Sequence, residues 1–213
     1  DLKSPSNTLL MLLGEMRAGH GASLDPDALE LIDLAEQTAT RMRTLVDDVL
    51  AYAACVETQP AHASVDLNAL VQTLLQDLRY DIQHQQARID CENLPMVIGN
   101  PMQLKLLLQN LVSNAIKFRD RDRPPVVRIA SQALKGNRSL IKVQDNGIGI
   151  DPAHFDRIFG LFQRLHAHDH YGGSGIGLAL CKRIALNHGG EISLSSVAGQ
   201  GTTFTVSLER LWP

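Results

Sequence analysis

The sequence predicts an α+β protein in two regions: an N-terminal helical hairpin, then an α/β sandwich with a mixed sheet and helices on one face. Three observations carry this. Residues 1–57 keep a three-four apolar spacing, residues 64–210 alternate strand-like with helix-like runs, and Thr58-Gln-Pro-Ala-His-Ala-Ser64 between them contains the helix-breaking Pro60. The expected division is 1–57, a linker over 58–63, and 64–213.

The first helix is expected over about residues 2–18, with Leu9, Leu10, Leu12, Leu13 and Met16 as its apolar positions and Gly19-His20-Gly21 as its stop. Asp25 then fits an N-cap, with Pro26 at the first helical position. The second helix runs to Glu57 on a stripe that includes Leu31, Leu34, Met42, Leu45, Val49 and Ala53. At 1.5 Å per residue the arms differ, roughly 25 Å against 45 Å, so about a dozen helical residues are expected before Asp1. Two helices enclose little interior; the expected remedy is dimerisation into a four-helix bundle, and the alternative is packing on the α/β region.

From Ser64 onward the periods predict a helix over 67–84, strands over 88–91 and 96–98, a helix from Pro101 to Phe118, and strands over 125–132 and 139–145. A short helix over 152–158, a helix over 175–188 and strands over 191–196 and 202–208 complete the order, the last two joined as a hairpin by Gly199-Gln-Gly201. The bulk numbers agree with a folded chain: 213 residues, 44% hydrophobic, net charge −3. That charge provides no basic field, so nucleic acid is not an expected partner. Cys55, Cys91 and Cys181 are widely spaced and odd in number, which favours reduced core thiols, and hence cytoplasm, over disulfides or zinc. No apolar run reaches the ~18 to 20 residues needed to cross a bilayer.

The residues that carry chemistry lie in the α/β region. Against an otherwise apolar helix, Gln103, Asn110, Asn114 and Lys117 form one polar stripe. Buried amides need partners; phosphate oxygens with Mg²⁺ suit them, and a hydrogen-bond network to a neighbouring loop is the plainer option. Asp145 ends an apolar strand before Gly147 and Gly149, where a carboxylate can accept from the six-amino group of adenine and glycines let a flat ring approach. An ordinary Asp-Asn-Gly turn is the alternative. Gly173-Ser174-Gly175-Ile-Gly177-Leu178 opens a helix whose amino end suits an anion. A dinucleotide turn would need a preceding apolar strand, and 163–171 is polar and histidine-rich. Residues 160–173 therefore read as a lid, hinged by glycines and anchored by Phe155, Phe159 and Phe162, unless those rings are plain core. His166, His168 and His170 lack companions with ligand spacing. His62 reads as a solvated loop residue and His188 as a helix-end residue favoured by the dipole.

Taken in order, Asn110–Phe118, Asp145–Ile150, Phe155–Phe162, Gly173–Leu178 and Gly199-Gln-Gly-Thr-Thr-Phe204 resemble the N, G1, F, G2 and final glycine-threonine motifs of two-component sensor histidine kinases. Their catalytic domain belongs to the gyrase, Hsp90, histidine kinase and MutL group (GHKL, Bergerat type), and Phe162-Gln-Arg-Leu-His166 with Tyr171 is similar to kinases related to bacterial phytochromes. The resemblance implies ATP and Mg²⁺ as cofactors. Asn114 would bind the metal, with Asn110 assisting. Lys117 and Arg164 would touch phosphate oxygens, the glycine-rich turns would cradle the nucleotide, Asp145 would hold adenine, and Thr202 would reach it through water.

Asp1-Leu-Lys-Ser4-Pro5 resembles the segment just after the phosphoacceptor histidine, placing that histidine immediately before Asp1. Asp1 would orient it, and Ser4 stands where the family positions water for dephosphorylating its partner; His20, in a glycine-flanked turn, is a poor rival acceptor. Where the group's water-activating ATPases use glutamate, Asn110 cannot act as a base. The implied partners are ATP, a response regulator receiver domain, a second copy of the chain and an upstream sensor domain. The implied location is cytoplasmic, or the cytoplasmic portion of a membrane-anchored sensor. The alternatives are an ATP-binding pseudokinase or dimeric scaffold and a gyrase-type ATPase.

Overall fold

A computed structural model describes residues 4–57, 62–165 and 173–211. Helix α1 (Ser4–His20) and helix α2 (Pro26–Glu57) form an antiparallel hairpin of unequal arms, 17 and 32 residues. Asp25 Oδ1 accepts from Ala28 N–H at 2.7 Å, so α2 starts as the Asp-Pro pair predicts. The glycines do not stop α1 at residue 18; it runs through His20 into a 3₁₀ turn over Gly21–Ser23. Ser6, Leu13, Ile32 and Ala39 are buried between the arms, while much of the predicted stripe, Leu31 and Leu34 included, stays exposed. The lower end of α2 does pack on the α/β region, through Ala51, Tyr52 and Cys55. This end of the stripe thus takes the alternative course, packing on the α/β region.

Strand β1 (Ala63–Asp66) begins where a linker is expected, because four residues with one buried apolar side chain, Val65, leave no period to read. It pairs antiparallel with β3 (Met96–Gly99) in a separate two-stranded sheet. Asp66 caps the next helix, accepting from Asn68 N–H at 2.8 Å. The predicted helix over 67–84 is two, α3 (Leu67–Asp77) and α4 (Arg79–His84), broken at Leu78 without glycine or proline; Leu78 is buried, so packing makes the bend.

The main sheet has the order β2 (Arg88–Cys91), β4 (Val126–Leu134), β5 (Arg138–Asp145), β7 (Gly201–Glu209), β6 (Ile192–Val197). β2 runs parallel to β4 and the other pairs are antiparallel, the mixed sheet expected. One face carries Ile129, Ile141, Val143, Phe204, Val206 and Leu208 into the core against α5 (Pro101–Lys117) and α6 (Gly177–Asn187). All three cysteines are free; Cys55 and Cys181 are buried, but Cys91 lies on edge strand β2 and is exposed, against the core reading. No helix among the described residues is long and apolar enough to cross a membrane.

Candidate nucleotide site

Helix α5 supplies the first wall of a cavity of about 410 Å³. Asn100 caps the helix by accepting from Gln103 N–H at 3.0 Å, and Pro101 fits its first turn. One face buries Leu104, Leu107, Leu108, Leu111, Val112 and Ile116. The other turns Leu106, Asn110, Ser113, Asn114 and Lys117 into the cavity, the three-four succession of a single helix face. Asn110 Nδ2 donates to Leu106 O at 2.8 Å, leaving its Oδ1 toward Gly177, where a Cβ would collide with it. Asn114 is half-buried, and its side-chain amide finds no hydrogen-bond partner among the described residues. Gln103 departs from the predicted stripe: its Oε1 accepts from Asn187 Nδ2 at 3.3 Å, away from the cavity.

Asp145 lies at the other end. Its Oδ1 accepts from Gly147 N–H at 2.8 Å and Thr202 N–H at 3.1 Å, and its Oδ2 accepts from none of the described residues. Burial pushes its carboxyl above the usual range, opposed by those two N–H groups and by the charge of Arg123. Gly149 lines the cavity at φ +71°, with no room for a side chain beside the Val197 carbonyl. Gly147 does not line it; it steadies Asp145 instead. Thr202 lines the wall, its hydroxyl hydrogen-bonded with Ser196 Oγ at 2.9 Å and its backbone N–H donating to Asp145.

Gly173, Ser174, Gly175, Gly177 and Leu178 close the third side at the start of α6. A Cβ on Gly173 would lie 2.6 Å from Lys117 Nζ, which brings the ammonium against this turn. Burial lowers the pKa of Lys117, the charge of Arg164 lowers it further, and Asp48 opposes them. Arg164 also lines the cavity, near the beginning of the predicted lid. Of the lid's anchors, Phe159 meets Phe204 edge-on at 6.4 Å, whereas Phe162 is exposed with φ +61°, so it anchors nothing there. His166, His168, His170 and Tyr171 lie outside the described residues, as does Asp1. Ser4 is exposed at the start of α1 and is not on the cavity wall.

The sequence reading missed Ser113, which its own helical arithmetic could have added, and Thr44 and Asp48 of α2, for which no local signal exists. His188 is corrected too. It is buried rather than a charged helix end: Nε2 accepts from Asn100 N–H at 2.9 Å, so Nδ1 carries the proton and donates to Ile184 O at 2.8 Å. Burial chiefly, and His62 stacked at 5.0 Å, lower its pKa.

Residues 99–211, just over half the chain, match the family model described as histidine kinase-, DNA gyrase B- and HSP90-like ATPase. The chain belongs to this ATPase family. Within the family its similarity is to histidine kinases: it is 40% identical over 209 residues to phytochrome-like protein Cph1 of Synechocystis sp., across 98% of this chain and 28% of that protein. Full-length ShkA in complex with AMPPNP shares the fold with a TM-score of 0.75 at 23% identity, over 99% of this chain and 44% of that one. Histidine kinase ThkA, solved with response regulator protein TrrA, gives 0.69 at 20% identity, over 98% and 59%. The chain spans about a quarter of the length of Cph1.

Proposed function

We propose that this chain is the kinase module of an ATP-dependent protein-histidine kinase, with 1–57 as phosphotransfer hairpin and 64–213 as catalytic domain. The observation that carries the reading is the pairing of two unlike ends in one cleft. Among the described residues, Asp145 offers an unused carboxylate oxygen at one end; Asn114, Lys117 and the start of α6 offer an unpaired amide, a cation and backbone N–H groups at the other. A purine amine suits the first and a polyphosphate the second. The kinship of ShkA, solved with AMPPNP, supports this nucleotide class.

The half-buried Asn114 amide, which has no partner among the described residues, fits a hard cation. Mg²⁺ held by Asn114, with Asn110 beside it, would supply charge neutralisation across the phosphates. Lys117 and Arg164 steady the phosphate oxygens, and Asp145 orients the base. The acceptor is a histidine immediately before Asp1, whose neutral ring nitrogen attacks the γ-phosphorus in line as the bond to ADP breaks. Asp1 holds the other ring N–H, fixing the tautomer. The phosphoryl group then passes to an aspartate of a receiver domain, a partner class supported by the ThkA–TrrA complex. Ser4 orients water for dephosphorylating the receiver, the aspartyl–phosphate bond breaking to return the aspartate and release inorganic phosphate. A chain extended to include that histidine, given ATP radiolabelled at the γ-phosphate, is expected to take up acid-labile label; no transfer would overturn the kinase assignment in favour of an ATP-binding scaffold.

A further inference from the structure

One wall of the cleft comes from the hairpin rather than from the α/β region. Thr44 and Asp48 of α2 line it beside Lys117, Gly173 and Ser174. Ser174 Oγ donates to Asp48 Oδ2 and accepts from Ile176 N–H at 3.2 Å, so one hydroxyl joins the middle of α2 to the start of α6. Burial, with the charge of Asp47, raises the Asp48 carboxyl above its usual range, opposed first by the Ser174 hydrogen bond and then by the charge of Lys117. The glycine-rich turn that the proposed function gives to phosphates here holds a carboxylate of the same chain through Ser174, on a wall of the cleft that it shares with Lys117.

A second attachment lies at the far end of α2. Arg183 donates to Cys55 O and Val56 O, both at 3.3 Å, and Asn187 Nδ2 donates to Cys55 O at 2.8 Å. These last-turn carbonyls have no donor within their own helix. The attachment involves no residue of the cleft, so it persists when Asp48 lets go.

We infer that Asp48 is an intrachain stand-in for the phosphates of a nucleoside triphosphate: without nucleotide it holds Ser174 on the wall shared with Lys117, and triphosphate binding requires it to withdraw. Occupancy of the cleft is thereby coupled to release of the middle of α2 from the second glycine cluster, while the Cys55 end stays attached. The inference rests on the nucleotide reading of the cleft. A closed latch lowers apparent affinity by the fraction of chains in which it is shut, so removing it tightens binding.

Calorimetry on the full chain with Mg²⁺ and AMPPNP, ADP or adenosine tests this. Asp48→Ala and Asp48→Asn are expected to bind AMPPNP about three- to tenfold tighter than the unmodified chain, ADP with a smaller gain, and adenosine equally. Unchanged AMPPNP affinity overturns the latch, and weaker affinity overturns it by making Asp48 a member of the nucleotide's own site. If the unmodified chain binds none of the three, the nucleotide reading falls with it. Amide hydrogen exchange over residues 44–52 is expected to quicken when AMPPNP binds the unmodified chain; unchanged exchange also overturns the inference.

Discussion

The hairpin and the α/β region bury their apolar residues in different ways. In the latter, a single sheet face with α3, α5 and α6 closes around a continuous core in which Leu111, Val127, Ile129 and Ile184 are almost wholly inaccessible. In the hairpin, 49 residues of helix, 17 in α1 and 32 in α2, bury only Ser6, Leu13, Ile32, Ala39 and Cys55, and Cys55 does so against the α/β core. Met11, Leu12, Met16, Leu31, Leu34 and Met42 remain in contact with solvent. One region is finished within a single chain and the other is not, which is the physical basis for proposing that a second copy covers it.

That contrast is sharpest in the cost of removing a leucine. Leu111→Ala opens a cavity between α5 and the sheet and is expected to lower unfolding stability by about 2 to 5 kcal/mol, read by urea denaturation. A cost below about 1 kcal/mol would mean that the core relaxes, and would erase the distinction between the two regions. Next in size comes the site: Asn114→Ala is expected to lower Mg²⁺-dependent nucleotide affinity about a hundredfold by calorimetry with little change in fold, because it removes a ligand and leaves no buried partner orphaned. Unchanged affinity would show the amide stripe to be structural after all.

Much of this was legible in the sequence, for reasons that particular residues make plain. Asp25-Pro26 and Asn100-Pro101 announce helix starts through side-chain chemistry that acts within three residues, and both caps are present. Asn110, Asn114 and Lys117 share a face by helical period alone, and the cleft receives all three. What escaped notice depends on distance along the chain. Ser174 and Asp48 are 126 residues apart, Asn100 and His188 are 88 apart, and nothing in either segment reports the other. Gln103 had the right spacing for the stripe, yet Asn187, itself tied to the end of α2 at Cys55 O, claims it. β1 is too short to show a period and exists because β3 offers it an edge.

His188 links stability of the α/β region to pH. Its neutral ring accepts from the N–H of Asn100, the residue that caps α5, so His188→Ala leaves that N–H unpaired at an expected cost of about 1 to 3 kcal/mol. Its folded pKa lies below the ordinary 6.5, so on acidification the unfolded chain takes up the proton first. The native contribution is therefore complete above about pH 6.5 and declines as pH falls through the lowered folded value. Urea midpoints between about pH 7 and 5 are expected to fall more steeply for the unmodified protein than for His188→Ala; equal slopes would assign the acid loss to other groups.

Asp145 titrates in the opposite sense, since burial raises its carboxyl above the ordinary 3.8. As pH falls toward that raised value the acid form replaces the acceptor, and ATP affinity is expected to drop toward that of Asp145→Asn, whose own affinity stays flat in the same range. Asp145→Asn is expected to reduce the preference for ATP over GTP by about tenfold, the scale of one base-edge hydrogen bond. Equal affinities for the two nucleotides in the unmodified protein would remove the role assigned to Asp145.

The smallest expected effect tests the hairpin's side of the contrast. Leu31 and Leu34 are 67% and 59% exposed and point away from the other arm of their own hairpin. Replacing both by Gln is expected to change the stability of a dilute, monomeric chain by no more than about 0.5 kcal/mol, since neither side chain leaves a buried site. In a chain that pairs through this face the same double substitution weakens association, because each Leu would otherwise bury its surface at about 25 cal/mol per Å² against the second copy. Sedimentation of the two proteins across a concentration series separates the cases: a shift toward monomer at unchanged dilute stability marks the stripe as an interface. A loss of several kcal/mol at low concentration would instead show that these leucines already have cover within one chain, and the two regions would then be stabilised alike.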